Sequence, residues 1–186
     1  IYWWSPRTRG VLEPGQMRIT RSLRKRIRNA PFRITADENF DKVIECCANT
    51  ARNDQSGTWI TQRMQSAYLE LFQRGVAHSI EVWLDDKLVG GLYGIALGRI
   101  FFGESMFSHS PDASKLAFYH LQQHLLAEHY SLIDCQMMNP HLETLGVHPM
   151  ARTEFLARLR TNRDKPTKIG HWTWRRAATA SADNER

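Results

Sequence analysis

The sequence predicts an α+β fold: a mixed, mainly antiparallel sheet flanked by helices. Three observations lead there. Residues 88–108, LVGGLYGIALGRIFFGESMFS, read as two apolar strands joined near Leu97-Gly98-Arg99, with glycines 90, 91, 94 and 103 set among apolar and aromatic residues. Residues 79–84 form a preceding strand, turned into that stretch by Asp85-Asp86-Lys87, so 79–107 is a three-stranded meander. A helix from about 113 to 128 then leads to a further strand at 130–136, YSLIDCQ. Glycine inside a strand weakens it and marks a bulge or a close approach by another backbone or a ligand. Both the central stretch and the 130–136 strand carry polar groups where an apolar core strand would have none: Glu104 in one, Asp134 and Gln136 in the other. Two buried strands that end in polar groups point to a cleft at their ends.

The remaining elements follow from periodicity and breakers. Residues 1–9 are extended and aromatic; adjacent Trp3 and Trp4 would face opposite sides of a strand. After a turn at Pro14-Gly15, Ile19, Leu23 and Ile27 recur every four residues as a narrow apolar stripe. Arg21, Arg24, Lys25 and Arg28 fall at i, i+3, i+4 and i+7 on one shared face. No acidic residue lies between Arg18 and Arg28, so this face is either a solvated charged surface or a phosphate-binding one. Asn29 and Pro31 stop the helix. Residues 32–36 are a short strand, and Asp37 is the expected N-cap of a helix burying Phe40, Val43, Ile44 and Cys47. After a polar loop at 49–57, Trp59 sits at the start of a helix over 61–74, as core plug or stacking wall. The buried stripe there is Met64, Ala67, Tyr68, Leu71 and Phe72, with Gly75 as stop. Short helices are expected at 141–145 and 153–160. Beyond Thr161 the chain turns basic and irregular, ending in a frayed tail at 177–186.

Composition bounds the function. At 186 residues, with 42% hydrophobic and 24% charged residues, the chain can build one domain with a substantial core. No stretch approaches the roughly 20 apolar residues of a membrane span. The net charge of +6 permits a polyanionic partner. Cys46, Cys47 and Cys135 form neither a disulfide framework nor a zinc pattern, which points to the cytoplasm. His120 and His124 have metal-ligand spacing but no accompanying motif; they are read as edging the apolar stripe of their helix, and no metal or cofactor is expected. Ile1 is not an initiator, so a preceding segment is expected.

The order helix, meander, helix, strand, with polar groups at strand ends, resembles the GNAT acyltransferase architecture. Its glycine-rich pyrophosphate turn has no counterpart in Ser108-His109-Ser110-Pro111-Asp112-Ala113-Ser114, which weighs against acetyl-CoA. More specifically, the sequence resembles the leucyl/phenylalanyl-tRNA–protein transferases. The matching motifs are YWWSP (2–6), RSLRK (21–25), GTWIT (57–61), HSIEVW (78–83), LVGGLYG (88–94), FFGESMFS (101–108), DASK (112–115) and LIDCQ (132–136), in order along the chain.

The resemblance implies a GNAT-like transferase domain over 11–176, preceded at 1–10 by the remnant of a small N-terminal domain or its linker. It implies transfer of Leu, Phe or Met from aminoacyl-tRNA to the N-terminal amine of proteins beginning with Arg or Lys, in the N-end degradation pathway, by a monomer. Arg21, Lys25 and Arg28 match positions used on the tRNA acceptor stem, and Arg24 shares their face. Trp59 matches a residue that packs by the terminal adenosine. Leu92, Phe101, Met106, Phe118, Leu125 and Ile133 would line a tolerant side-chain pocket. The expected catalytic group is Asp134, Gln136 and Glu104. Gln136 would orient the amine, Asp134 would fix the Gln136 amide and stabilise the developing ammonium, and Glu104 would attract the positive acceptor. The other reading of Glu104 and Asp134 is a structural ion pair with a buried arginine. Other readings of the chain are an acyl-CoA-dependent N-acyltransferase of the same fold and a non-catalytic RNA-binding module.

Overall fold

The computed structural model describes residues 5–29, 31–50 and 58–176. Tyr2, Trp3, Trp4, Gly57 and the 177–186 tail, on which sequence expectations also fell, lie outside the described residues. The strands are β1 (Thr8–Leu12), β2 (Arg33–Ala36), β3 (Ala77–Leu84), β4 (Lys87–Leu97), β5 (Ile100–Ser108), β6 (Leu132–Asp134), β7 (His148–Ala151) and β8 (Arg175–Arg176). The helices are α1 (Arg21–Asn29), α2 (Phe40–Asn49), α3 (Gln62–Gln73), α4 (Ala113–Ala127), α5 (Pro140–Thr144) and α6 (Arg152–Asn162).

All strands among the described residues join one sheet in the order β7-β1-β6-β5-β4-β3-β2-β8. Every pairing is antiparallel except β5 with β6, which are parallel and connected through α4. The expected meander is β3-β4-β5. Its first turn holds Asp85 (φ 48°) and Asp86 (φ 59°) in the left-handed region, which matches the twist of a two-residue hairpin and which Asp tolerates.

Period-2 alternation divides the sheet into two covered faces. Ile80, Val82, Leu92, Phe101 and Ile133 pack against Leu116, Phe118, Leu121 and Leu125 of α4, with Leu23 of α1 in the same cluster. On the opposite face Ala77, Tyr93 and Phe107 pack against Phe40, Val43, Ile44 and Cys47 of α2 and Tyr68 of α3. Ile100 and Leu132 meet Phe155 of α6 in a third cluster. The glycines have defined steric roles. A Cβ at Gly90 would collide with Ala113 at the start of α4, and one at Gly94 would strike the Phe102 carbonyl and the Phe101 ring.

Several elements differ from the sequence expectation. The residue before α2 is Asn39, not Asp37. Asp37 (φ 56°) instead accepts the backbone N–H of Ser79 (2.7 Å) and of Trp172 (2.7 Å), and its carboxylate meets His78 Nδ1 at 2.8 Å. Those partners are distant in sequence, so local capping rules could not foresee them. In α3, Ala67 is exposed and Tyr68 is the buried member of the expected stripe. The chain after Thr161 is not irregular throughout. Gly170 N–H donates to the Gly75 carbonyl (3.2 Å), and Trp172 is buried, stacked on His78 with ring centroids 3.9 Å apart. β8 then closes the sheet edge on β2. His124 packs against Trp172 and Trp174, and burial lowers the pKa of His120 to about 4. Among the described residues, no helix is long and apolar enough to cross a membrane.

Candidate active site

The site grows from the parallel junction of β5 and β6. β5 and β6 pair at Ile100–Leu132, Phe101–Ile133 and Phe102–Asp134, and no further. On the other side of β5 the register with β4 runs from Gly94–Gly103 to Tyr93–Ser105, so Glu104 is the extra residue of a β-bulge. The bulge re-aims the Glu104 side chain just where β5 and β6 stop pairing. β6 begins two residues later than the expected 130–136 strand and ends at Asp134, shortly before Gln136 at φ 64°, a left-handed conformation that breaks the extended run. The backbone there is held by β1: Gly10 N–H donates to the Gln136 carbonyl (2.7 Å), and Cys135 N–H donates to the Gly10 carbonyl (2.8 Å).

The three expected polar residues come together, with a division of contacts that sequence reasoning did not foresee. Gln136 Nε2 donates to Glu104 Oε2 at 2.9 Å. Asp134 Oδ1 accepts the backbone N–H of Gln136 at 3.0 Å. It is therefore Glu104 that fixes the side-chain amide, while Asp134 fixes the main chain. The Asp134 carboxylate is 0% exposed and receives a bidentate guanidinium, Arg9 Nε to Oδ1 (2.9 Å) and Nη2 to Oδ2 (2.5 Å). The ion pair with an arginine that the sequence allows for Asp134 is present, and the arginine is Arg9. The Tyr68 hydroxyl faces Glu104 from α3. Burial raises the Glu104 pKa above 4.5 and Asp134 adds to the rise, while Tyr68, Gln136 and Arg9 oppose it.

Arg9 and Tyr68 are the members of this group that sequence reasoning missed. Tyr68 belongs to the apolar stripe of α3, and it is buried as that stripe requires. Arg9 lies in an extended segment with no pattern of its own, 125 residues from its partner.

The six residues expected to line a side-chain pocket share one neighbourhood. Leu92, Phe101, Phe118, Leu125 and Ile133 are buried in a single cluster, with Met106 packed against it. Phe101 and Ile133 lie on the splaying strands themselves, one residue before the last pairing. Trp59 is 40% exposed, so it is not a core plug; it precedes α3, whose N-cap Thr61 accepts the Met64 N–H.

Arg21, Arg24, Lys25 and Arg28 are exposed on α1, which is anchored by buried Leu23. Arg26, on the same helix, lies 3.6 Å from Asp112 at the start of α4. Asp112 (φ 64°) also takes Lys115 Nζ at 2.8 Å, and that bond, with both cations, lowers its pKa. An internal carboxylate thus stands at the helix start where the GNAT resemblance would put a pyrophosphate.

A profile of the family described as leucyl/phenylalanyl-tRNA protein transferase matches residues 11–160. The chain belongs to this family. Proteins carrying the family's name include one from Azoarcus sp. (strain BH72), 55% identical over 159 residues, covering 86% of this chain and 67% of that one. One from Chromohalobacter salexigens is 51% identical over 183 residues, covering 98% of this chain and 70% of its own. One from Shewanella sp. (strain ANA-3) is 49% identical over 172 residues, covering 92% and 72%. Among solved structures, a GCN5-related N-acetyltransferase from Kribbella flavida superposes with a TM-score of 0.50 at 12% identity, over 78% of this chain and 55% of that one. The leucyl/phenylalanyl-tRNA–protein transferase family member therefore has a GNAT-like α+β fold, and it is an enzyme of the transferase class.

Proposed function

We propose that the protein moves Leu, Phe or Met from aminoacyl-tRNA to the N-terminal amine of proteins that begin with Arg or Lys, marking them for N-end degradation, as a cytoplasmic monomer. The reading is carried by one observation: a paired amide and carboxylate, Gln136 and Glu104, stand where β5 and β6 part, next to an apolar cluster built on the same two strands. The transferase domain is taken as 11–176, reached by β1 from Thr8 inside the 1–10 linker segment, with 177–186 as its tail.

The reaction is ester aminolysis. The neutral amine attacks the activated carbonyl, the N–C bond forms, the C–O bond to the ribose breaks, and the proton shed by the amine leaves on the ribose hydroxyl. Gln136 is too weak a base to take that proton. With its Nε2 bonded to Glu104, its carbonyl oxygen is the end offered to the amine, so it acts by orientation. Positioning of this kind contributes about 7–11 kcal/mol. Glu104 supplies negative charge for the acceptor's cationic terminus. Trp59, exposed beside α3, offers a face for the terminal adenosine. Leu92, Phe101, Met106, Phe118, Leu125 and Ile133 receive the aminoacyl side chain. Arg21, Arg24, Lys25 and Arg28 grip acceptor-stem phosphates, a contact that reads charge and not base identity.

Asp112 weighs against acyl-CoA as donor. Its carboxylate, neutralised by Lys115 and Arg26, stands where a pyrophosphate would need free backbone N–H groups. The test is a transfer assay with labelled Leu-tRNA and two peptides, one beginning with Arg and one with Ala. Labelling of the Arg peptide alone is expected. Equal labelling removes the basic-residue selectivity, and thermal stabilisation by CoA but not by charged tRNA removes the donor assignment.

A further inference from the structure

We propose that Arg9 is a positioning residue of the transfer site: it holds Asp134, and through Asp134 the Gln136 main chain, in the geometry that brings the Gln136 amide to Glu104. The inference rests on the orienting role given to Gln136 above.

Three observations carry it. The first is that both Asp134 oxygens are engaged by the Arg9 fork, and one of them also takes the Gln136 N–H. A carboxylate enclosed in this way acts by holding its neighbours, not by meeting a substrate. The second is the backbone of Gln136. A non-glycine residue at φ 64° is held there only by its surroundings, and three contacts supply them: Asp134 to its N–H, Gly10 to its carbonyl, and Glu104 to its side chain. Two of the three depend on β1, one through Gly10 directly and one through Arg9. The third observation is the support behind Arg9. Its guanidinium lies over the Phe155 ring of α6 at 5.1 Å from the centroid, so β1 and α6 together fix the fork. A continuous set of contacts thus runs from Phe155 to Arg9, Asp134, Gln136 and Glu104.

Electrostatics distinguish this role from simple bracing. The groups facing Glu104 are Tyr68 from α3, Gln136 and Asp134 at the end of β6, and Arg9 from β1. Arg9 opposes the rise in the Glu104 pKa and neutralises Asp134, which promotes it. Without the guanidinium, two carboxyl groups face one another with nothing to offset them. Ionisation of Glu104 then becomes harder, and the acid limb of the rate profile moves to higher pH. The limb reports the lost charge, whereas a fall in kcat that persists in a variant keeping the charge reports the lost fork.

The experiment measures kcat, KM for Leu-tRNA and the pH dependence of kcat for Arg9→Met and Arg9→Lys, with an Arg-initiated peptide as acceptor. Lysine keeps the charge but loses the two-pronged fork. With misplacement of the reacting groups as the cause, kcat falls about 100-fold in Arg9→Met and about 10-fold in Arg9→Lys, with KM for the tRNA little changed. The acid limb rises by about one pH unit in Arg9→Met and stays near its original position in Arg9→Lys. Wild-type kcat in both variants overturns the proposal. So does a fall in kcat that is equal in the two, with an unmoved acid limb. Should Arg9→Met not fold, Arg9→Lys decides: reduced kcat at an unchanged melting temperature supports the proposal, and full kcat overturns it. Gln136→Ala is measured alongside. If it retains full turnover, the orienting role of Gln136 fails; if it is inactive while both Arg9 variants are fully active, only the positioning role of Arg9 fails.

Discussion

Gln136 Nε2 and Glu104 Oε2 meet at 2.9 Å from two strands that have already parted, one residue sitting on a bulge and the other in a left-handed turn. Neither irregularity would bring the pair together without the other. The bulge moves Glu104 out of the β4–β5 ladder, and the turn brings Gln136 back across the gap beyond β6.

This pairing makes Gln136 the sharpest test of the site. Gln136→Ala should lower turnover at least about 100-fold by removing the group proposed to orient the amine. Its tRNA dissociation constant should match that of the wild type, because α1 is untouched. Steady-state kinetics beside filter binding checks both; a matching loss of affinity would count against a catalytic role.

The basic face of α1 should behave as a phosphate grip. Arg21→Ala combined with Lys25→Ala should raise the tRNA dissociation constant and flatten its salt dependence, by about one unit of logarithmic slope for each phosphate no longer neutralised. Leu23 holds the helix from the other side, so the fold should be unaffected. Unchanged binding across a salt titration would remove the acceptor-stem assignment.

Glu81 gives a pH prediction for stability. It is fully buried, and burial raises its pKa above 4.5, with Asp37 adding to the rise and hydrogen bonds from Ser79, Thr35 and Asn39 opposing it. A carboxyl group whose folded value is raised favours the folded state while protonated. Its contribution is full below about pH 4.5 and is lost as pH rises through the folded value. Glu81→Gln should therefore lose less stability than the wild type between pH 4.5 and 7. Urea midpoints at the two pH values test this, and identical changes in the two proteins would refute it.

The C-terminal segment should matter for stability more than its composition suggests. Trp172→Ala removes the stack on His78 and opens the face beneath, at a cost of about 3–5 kcal/mol. Thermal unfolding reads this directly; a melting temperature within a degree of the wild type would show that the segment is dispensable.

Much of the fold was legible because it is written locally. The alternation of 79–108, the glycines that mark bulges and close approaches, and the four-residue stripe of α1 each arise from neighbours a few positions apart. Glu104, Asp134 and Gln136 stood out for a related reason, since a polar group on an apolar strand conflicts with its own surroundings. Asp37 misled because a residue placed before a helix suggests a cap, whereas its donors, Ser79 and Trp172, come from β3 and the C-terminal segment.

By itself the sequence determined the mixed sheet, the family, the basic helix and the three polar residues of the candidate site, because periodicity, breakers and ordered motifs are properties of short stretches. Only the tertiary structure decided which of those polar residues touch. It paired Gln136 with Glu104, enclosed Asp134 behind Arg9, and set Arg26 against Asp112 at the start of α4. Hydrogen bonds and ion pairs depend on distance in space, and the 125 residues between Arg9 and Asp134 leave no periodic trace of the bond that joins them.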